Sequence, residues 1–175
     1  MRKPLGEKIN AVRARKKQRL PVVLSKEEVS RLLKAMSGVH ELMAQLMYGC
    51  GLRVMEVLRL RVQELDFDQG LLLVRRGKGD KDRSTILLPE LHVPLKDHVI
   101  FVRKLYEQDV ENGTCNVYLP HALAQKYRGG PRAWNWQYVF ASKSLSVDPR
   151  AGVRRRHHMD ESSIQKSVVH AACLV

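Results

Sequence analysis

Residues 46–68 read LMYGCGLRVMEVLRLRVQELDFD, and residues 71–89 read LLLVRRGKGDKDRSTILLP. The first run predicts a helix that closes at Gly49-Cys50-Gly51 and a short third helix from Arg53 to about Leu60. The pattern then changes from a helical to an alternating period, which predicts three short strands at 65–68, 71–74 and 84–88. Gln69-Gly70 and the polar turn 77–83 join these strands. The two runs therefore predict a small three-stranded antiparallel sheet next to helices.

Helical patterns flank this sheet on both sides. Ser25 and Glu28 have capping-box spacing at the start of a first helix, which Gly38 is expected to end. Further helices are predicted at about 91–110, 122–127 and 161–172, the first stopped by Asn112-Gly113 and the last entered from Asp160. The fold class is mixed α+β, mainly α-helical, with one small sheet.

The region 120–158 has a less regular pattern. After the short helix come a loop at 129–131, an aromatic cluster and a basic loop. Trp134, Trp136, Tyr138 and Phe140 alternate like one face of a strand, so one or two of them are expected in the core.

The charge is concentrated in two segments. The chain has 175 residues, with 31 Lys and Arg against 18 Asp and Glu, a net charge of +13. Residues 1–20 and residues 120–158 each hold eight basic residues and one acid, or 8 − 1 = +7. Clustered cations suit a polyanion because each neutralised phosphate releases counterions. Nucleic acid is the first interpretation, and a basic soluble surface or an anionic membrane face are the alternatives.

Other classes of protein are disfavoured by composition. No apolar run approaches the roughly 20 residues that a membrane span needs, and the basic amino terminus is unlike a signal peptide. The three cysteines, Cys50, Cys115 and Cys173, form no CxxC pair, so neither a disulfide framework nor a zinc ribbon is indicated. A soluble intracellular protein is expected.

Two cations stand in positions suited to phosphate chemistry. Arg53 follows a glycine-flanked turn and has an acid, Glu56, three residues later, so its guanidinium fork can face a phosphate while Glu56 orients it or caps the helix. An ordinary surface Arg–Glu pair is the alternative. Lys78 lies between Gly77 and Gly79 in a turn that lets it reach a ligand, and a solvated hairpin tip is the alternative there.

Together the two runs resemble the core of the tyrosine recombinases, the phage integrase family. By this resemblance Arg53 matches the first catalytic arginine and Lys78 the lysine of the following β-hairpin. The chemistry suits both residues. Attack on phosphorus places negative charge on the non-bridging oxygens, which a positioned arginine stabilises, and a lysine can protonate the departing 5′-oxygen.

The run from Tyr118 to Val168, YLPHALAQKYRGGPRAWNWQYVFASKSLSVDPRAGVRRRHHMDESSIQKSV, is similar to the insertion typical of integron integrases. The resemblance implies recognition of folded single-stranded cassette sites, with Trp136, Pro149, His157 and His158 packing on protruding bases. Arg154, Arg155 and Arg156 would hold phosphates nearby. The alternative is that the aromatic residues are simply core. A metal site is not expected because the His-His pair has no suitably spaced Cys or carboxylate, and no cofactor is predicted.

The resemblance is incomplete at the carboxy-terminal side. The family's H-x-x-R box is absent from the sequence, and the last tyrosine, Tyr138, lies inside the insertion-like run, so no residue matches the nucleophile. We therefore expect residues 1–20 to be a basic interdomain linker and 21–175 a shortened catalytic domain with its insertion at about 118–160.

Such a fragment is expected to bind DNA without cleaving it. Its exposed apolar surface would favour self-association or pairing with integrase subunits. The family resemblance implies the bacterial cytoplasm. The alternative function is a non-catalytic DNA-binding or regulatory module that occupies recombination sites or associates with intact integrase.

Overall fold

The computed structural model describes residues 23–75, 82–149 and 151–175. Six α-helices lie in these ranges: α1 Lys26–Ala35, α2 Gly38–Gly49, α3 Val54–Leu58, α4 Pro89–Glu111, α5 His121–Lys126 and α6 Glu161–Ala172. Single 3-10 turns lie at Val62–Glu64, Gly130–Arg132 and Trp134–Trp136. Residues 1–20 and Lys78, for which roles were predicted, lie outside the described residues.

The described strands form two antiparallel sheets. β1 Leu65–Asp66, β2 Leu71–Val74 and β3 Arg83–Ile86 form the predicted sheet in the order β1-β2-β3, with Leu72 opposite Thr85. A second sheet pairs β4 Ala141–Val147 with β5 Arg154–His158. The register of this pair shifts between Ala141 and Leu145, as at a β-bulge.

The predicted fold class is confirmed: the chain is mixed α+β and mainly helical, with the small three-stranded sheet. Several local signals are confirmed as well. Ser25 and Glu28 form the capping box of α1, Gly70 takes a positive φ of 63° in the turn between β1 and β2, and the Asp160 carboxylate accepts a hydrogen bond from the Ser162 amide at the start of α6.

Three local predictions are wrong. Gly38 begins α2 with a φ of 63° rather than ending α1, which stops at Ala35. The basic loop is strand β5, because its backbone pairs with β4. The strand-like aromatic alternation is instead a 3-10 turn, Trp134–Trp136, followed by a single bridge between Tyr138 and Arg61.

Apolar residues form two clusters. The main core joins α2, α3, α6, the inner face of β2 and the amino-terminal half of α4, and its fully buried members include Met43, Leu46, Leu58, Leu72, Leu95, Phe140 and Ile164. A second cluster contains Val117, Leu119, Trp136 and Tyr138. Three of the four alternating aromatic residues are therefore buried, more than the one or two expected.

A buried ion pair anchors the second sheet to α4. The Arg156 guanidinium donates to both carboxylate oxygens of Asp109, at 2.5 and 2.7 Å. It also donates to the carbonyls of Ser142 and Lys143, at 2.8 Å each, in the irregular part of β4. Arg156 thus fixes the hairpin to the helix and satisfies carbonyls that the irregular pairing leaves open.

We expect Asp109→Asn to lower the free energy of unfolding by about 3 kcal/mol, because it leaves the Arg156 charge buried without its partner. Urea unfolding of the 175-residue chain measures this change. Glu107→Gln is the matched control, since it removes the exposed pair with Arg103 on the same helix and should cost less than about 1 kcal/mol. Equal losses in the two variants would contradict the anchoring role.

Candidate nucleic-acid interface

The turn between α2 and α3 delivers Arg53 to the surface. Gly51 takes a positive φ of 66° there, which a residue without Cβ adopts freely. Arg53 is the N-cap of α3, and its backbone amide donates to Glu56 Oε2 at 2.8 Å. Its Nη1 donates to Glu56 Oε1, also at 2.8 Å, while 58% of the side chain stays exposed. Glu56 therefore both caps the helix and orients the arginine.

A second arginine, Arg83 on β3, binds the same carboxylate. Its Nη2 lies 2.7 Å from Glu56 Oε2 and 3.2 Å from the Gly51 carbonyl oxygen. The Thr85 hydroxyl donates to the Cys50 carbonyl at 2.9 Å, so β3 is fastened to the turn. Burial raises the pKa of Glu56, but hydrogen bonds from Arg53 and the charge of Arg83 outweigh it, and the net pKa is lowered. The site thus holds an ionised carboxylate between two cations.

A cleft of about 630 Å³ opens beside this turn, between α3, β2, the second cluster and the β4–β5 hairpin. Four arginines line it: Arg59, Arg61, Arg75 and Arg155. The other polar and ring-bearing lining residues are Glu56, Glu64, Tyr118, Pro120, Trp136, Tyr138, Ser146, Asp148, Pro149, His157 and His158. Cations, aromatic rings and imidazoles thus converge on one concave surface.

Arg61 forms the floor of the cleft. Its guanidinium lies 4.3 Å from the centre of the Tyr138 ring, and it donates to the Trp136 carbonyl, to the Tyr118 carbonyl at 2.9 Å and to the Tyr138 hydroxyl at 3.2 Å. The adjacent Glu64 carboxylate is buried and accepts from the Arg61 amide at 2.8 Å. Arg61 thereby holds the second cluster against the main core.

Two histidines form one wall of the cleft. The rings of His157 and His158 lie 4.1 Å apart, and each contacts Tyr138. Burial lowers the pKa of both imidazoles, and the charges of Arg59 and Arg61 lower it further. The neutral, ring-stacking form is therefore favoured.

Residues 22–174 match the model of the phage integrase family. The chain belongs to this family. It is 45% identical over 159 residues to an integrase/recombinase of Escherichia coli and to one of Pseudomonas aeruginosa, matches that cover 91% of the chain and 47% of each relative. It is 38% identical over 152 residues to the tyrosine recombinase XerA of Pyrococcus horikoshii, covering 85% of the chain and 50% of that protein.

A crystal structure of XerA recombinase has the same fold. It superposes with a TM-score of 0.52 at 23% identity and covers 94% of the chain and 46% of the XerA chain. The phage integrase chain spans about half the length of the relatives that it matches. In the part that the structure describes, no helix is both long and apolar enough to cross a membrane.

The structure brings most of the predicted interface residues of this phage integrase together. Trp136, Pro149, His157, His158 and Arg155 all line the cleft. Trp136 is only 8% exposed, because most of its indole packs in the second cluster.

Three predicted arginines differ in their surroundings. Among the described residues, the buried Nε of Arg155 has no hydrogen-bond partner, although its Nη2 lies 3.4 Å from Asp148. Arg154 is exposed at the start of β5 outside the cleft lining. Arg156 is occupied by Asp109, so its contacts are structural.

Four arginines of the candidate site were missed from the sequence: Arg59, Arg61, Arg75 and Arg83. Residues 21–119 have a net charge of zero, so a count of net charge by segment does not single out these four arginines. The repeat Leu58-Arg59-Leu60-Arg61 was the available signal, because cations that alternate with buried leucines point away from the core. Among the described residues there is no group of three or more His, Cys, Asp or Glu side chains suited to a metal ion.

The lowered pKa values of the two histidines predict a pH-dependent stability of this phage integrase. Because the unfolded chain binds their protons more readily, their destabilising effect is absent above about pH 6.5 and grows as the pH falls toward the folded-state pKa values. We expect the double variant His157→Gln/His158→Gln to lose less stability than the unsubstituted chain between pH 7.5 and 5.5.

Thermal unfolding at the two pH values measures this difference. His170→Gln changes an exposed histidine on α6 and should leave the difference as it is. A double variant whose stability falls with pH as steeply as that of the unsubstituted chain would disprove the assignment.

Proposed function

We propose that this chain is the DNA-holding part of an integron-type tyrosine recombinase, which acts in the recombination of gene cassettes. The observation that carries the proposal is the single cleft where Trp136, Pro149, His157 and His158 meet cleft-lining arginines. Folded single-stranded cassette sites are the proposed substrate, and duplex sites are bound as well. Of the cleft arginines, Arg59 is exposed and Arg155 keeps a buried N–H without a partner among the described residues.

The dimensions and chemistry of the cleft suit an unpaired base. A volume of about 630 Å³ lies within the usual range for pockets that bury small ligands, about 300–1,000 Å³. Imidazole, indole and proline surfaces stack on any base, and arginines hold the flanking phosphates. A paired base within a duplex offers no free face to such a cleft.

Arg53 is the proposed contact to the phosphate that reacts. Its guanidinium is exposed while Glu56 fixes its direction, and such a cation stabilises the charge that develops on the non-bridging oxygens. Lys78, which precedes β3 in the sequence, is proposed as the general acid for the departing 5′-oxygen. We assign residues 1–20 to a linker that follows the DNA backbone, 21–175 to the catalytic domain and about 118–160 to its insertion.

We also propose that the 175-residue chain by itself does not cleave DNA. Its sequence contains no H-x-x-R motif. Tyr138, the last tyrosine, is 4% exposed, and its hydroxyl accepts a hydrogen bond from Arg61. Burial raises the pKa of Tyr138 despite the nearby Arg61 charge, so this phenol is a poor nucleophile.

A non-catalytic DNA-binding module that associates with intact integrase is the second candidate. The exposed apolar side chains of Val93, Ile100 and Phe101 on α4 favour a protein contact of this kind. Self-association of the chain would use the same residues.

We expect the chain to bind a hairpin with extrahelical bases more tightly than a duplex of equal length. Trp136→Ala should weaken hairpin binding about 5- to 150-fold, the effect of losing about 1–3 kcal/mol of base stacking, and leave duplex binding nearly unchanged. Fluorescence anisotropy at several salt concentrations measures both affinities.

Trp134→Ala is the matched control for this experiment. Trp134 contacts Tyr106 and Arg103 and does not line the cleft, so its loss should weaken binding of both DNAs to the same small extent. Equal affinity for hairpin and duplex, unchanged by Trp136→Ala, would argue for a generic electrostatic binder and against recognition of unpaired bases.

Covalent trapping on a nicked cassette-site DNA tests the cleavage proposal. We expect no covalent adduct with the 175-residue chain alone. Addition of a polypeptide carrying the carboxy-terminal half of the E. coli relative should restore an adduct that Arg53→Ala abolishes. An adduct on the chain alone would refute the proposal, and tight binding without restored cleavage would favour the non-catalytic module.

A further inference from the structure

The Glu56 carboxylate is divided between two arginines. Its Oε1 receives Arg53 Nη1 at 2.8 Å, and its Oε2 receives Arg83 Nη2 at 2.7 Å and the Arg53 backbone amide at 2.8 Å. The carboxylate is 8% exposed, so it meets little water. An arginine beside a carboxylate usually takes both oxygens with two parallel N–H bonds. Here Oε2 already receives Arg83 Nη2 and the Arg53 backbone amide, so the Arg53 guanidinium reaches only Oε1.

Because Glu56 is shared with Arg83, most N–H donors of the Arg53 guanidinium are not used by Glu56. A guanidinium has five N–H donors, and the side chain of Arg53 spends one of them on Glu56. Two cations share one anion, so the three side chains keep a net charge of +1. Arg53 therefore retains both donors and charge for an external anion, and 58% of its side chain is exposed toward solvent.

Arg83 is itself held in place by the turn that delivers Arg53. The same Nη2 donates to the Gly51 carbonyl at 3.2 Å, and two residues along β3 the Thr85 hydroxyl donates to Cys50. The backbone of β3 is paired with β2 on its other side. The position of Arg83 relative to Arg53 is thus set by both the sheet and the turn.

We propose that Arg83 is a positioning residue: by holding one oxygen of Glu56, it prevents this carboxylate from neutralising Arg53 and keeps the Arg53 guanidinium available to a DNA phosphate. The inference rests on the proposed function, in which Arg53 binds that phosphate. Arg83 acts through Glu56 and makes no contact with the DNA.

The DNA-free protein tests the sharing directly. In Arg83→Ala, Glu56 Oε2 keeps the Arg53 backbone amide and can also accept a second N–H of the Arg53 guanidinium. Solvent exchange of the Arg53 guanidinium protons, followed by NMR, should therefore slow at least about threefold as this second charge-assisted hydrogen bond forms. Arg83→Met, which keeps an unbranched side chain without an N–H donor for Glu56, is the second variant if Arg83→Ala does not fold. An unchanged Arg53 exchange rate in a folded variant would overturn the proposal.

A double-mutant cycle with DNA tests the consequence. Arg83→Ala should weaken binding of the cassette-site hairpin about fivefold. In the Glu56→Gln background the same substitution should change affinity by less than about twofold, because no carboxylate remains to capture Arg53. Arg103→Ala, which removes an exposed arginine paired with Glu107, controls for the loss of one positive charge.

The outcomes separate the inference from the function on which it rests. If Arg83→Ala lowers hairpin affinity equally in the unsubstituted and Glu56→Gln backgrounds, Arg83 contacts DNA itself. If it lowers affinity in neither background, the sharing of Glu56 has no effect on DNA binding. Either outcome overturns the inference. If Arg53→Ala leaves DNA binding intact, the proposed phosphate role of Arg53 fails, whereas the exchange rates still decide whether Arg83 controls Arg53.

Discussion

The architecture of the cleft depends on one half-buried guanidinium, that of Arg61. It joins three segments that are distant in sequence: the segment that follows α3, the segment at Tyr118 and the aromatic segment 136–138. Backbone hydrogen bonds run beside it, from Val62 to the Gln137 carbonyl and from Val139 to the Leu60 carbonyl. A cation at this depth is stable because carbonyls and the Tyr138 ring replace its water. This contact sets the position of the second cluster and the hairpin relative to the turn that carries Arg53.

The net charge of +13 describes the chain less well than the way its arginines are used. Arg61 and Arg156 bind internal carbonyls and a carboxylate, whereas Arg53 and Arg59 are exposed at the two ends of α3. The arginines with internal partners stabilise the shape of the cleft, and the exposed arginines can bind a phosphate. Both sets contribute to the electrostatic potential over the cleft, but only the exposed arginines contribute to the salt dependence of DNA binding.

Local sequence signals predicted the elements well where one short segment determines its own structure. The Ser25–Glu28 box, the glycine turns at Gly51 and Gly70, and the Asp160 cap each need only a few neighbouring residues. Strand β2 also follows a simple rule, because Leu72 and Val74 alternate with more exposed neighbours. The pairing of Arg53 with Glu56 could be predicted from the sequence for the same reason, because a separation of three residues brings them together at one helical turn.

The remaining features depend on contacts across the chain. The sequence RRRHH of β5 has no strand pattern of its own and becomes a strand because β4 pairs with it. Arg83 lies 27 residues from Glu56, and Arg61 lies 75 residues from Trp136. No local sequence pattern predicts contacts between residues so far apart in the chain. The buried state of Trp136 likewise follows from the tertiary position of Arg61 and not from aromatic spacing.

The irregular pairing in β4 has a consequence for which residues the hairpin offers to a ligand. Successive side chains of a strand point to opposite faces, so a shift of one residue exchanges the faces. Arg155 and His157 line the cleft, and Arg156, between them, turns away toward Asp109. A single inserted or deleted residue between Ala141 and Leu145 would therefore exchange the faces of the β4 residues that follow it, including Ser146 and Val147, which line the cleft. The side chains that β4 offers to the cleft would change although every residue of RRRHH stayed the same.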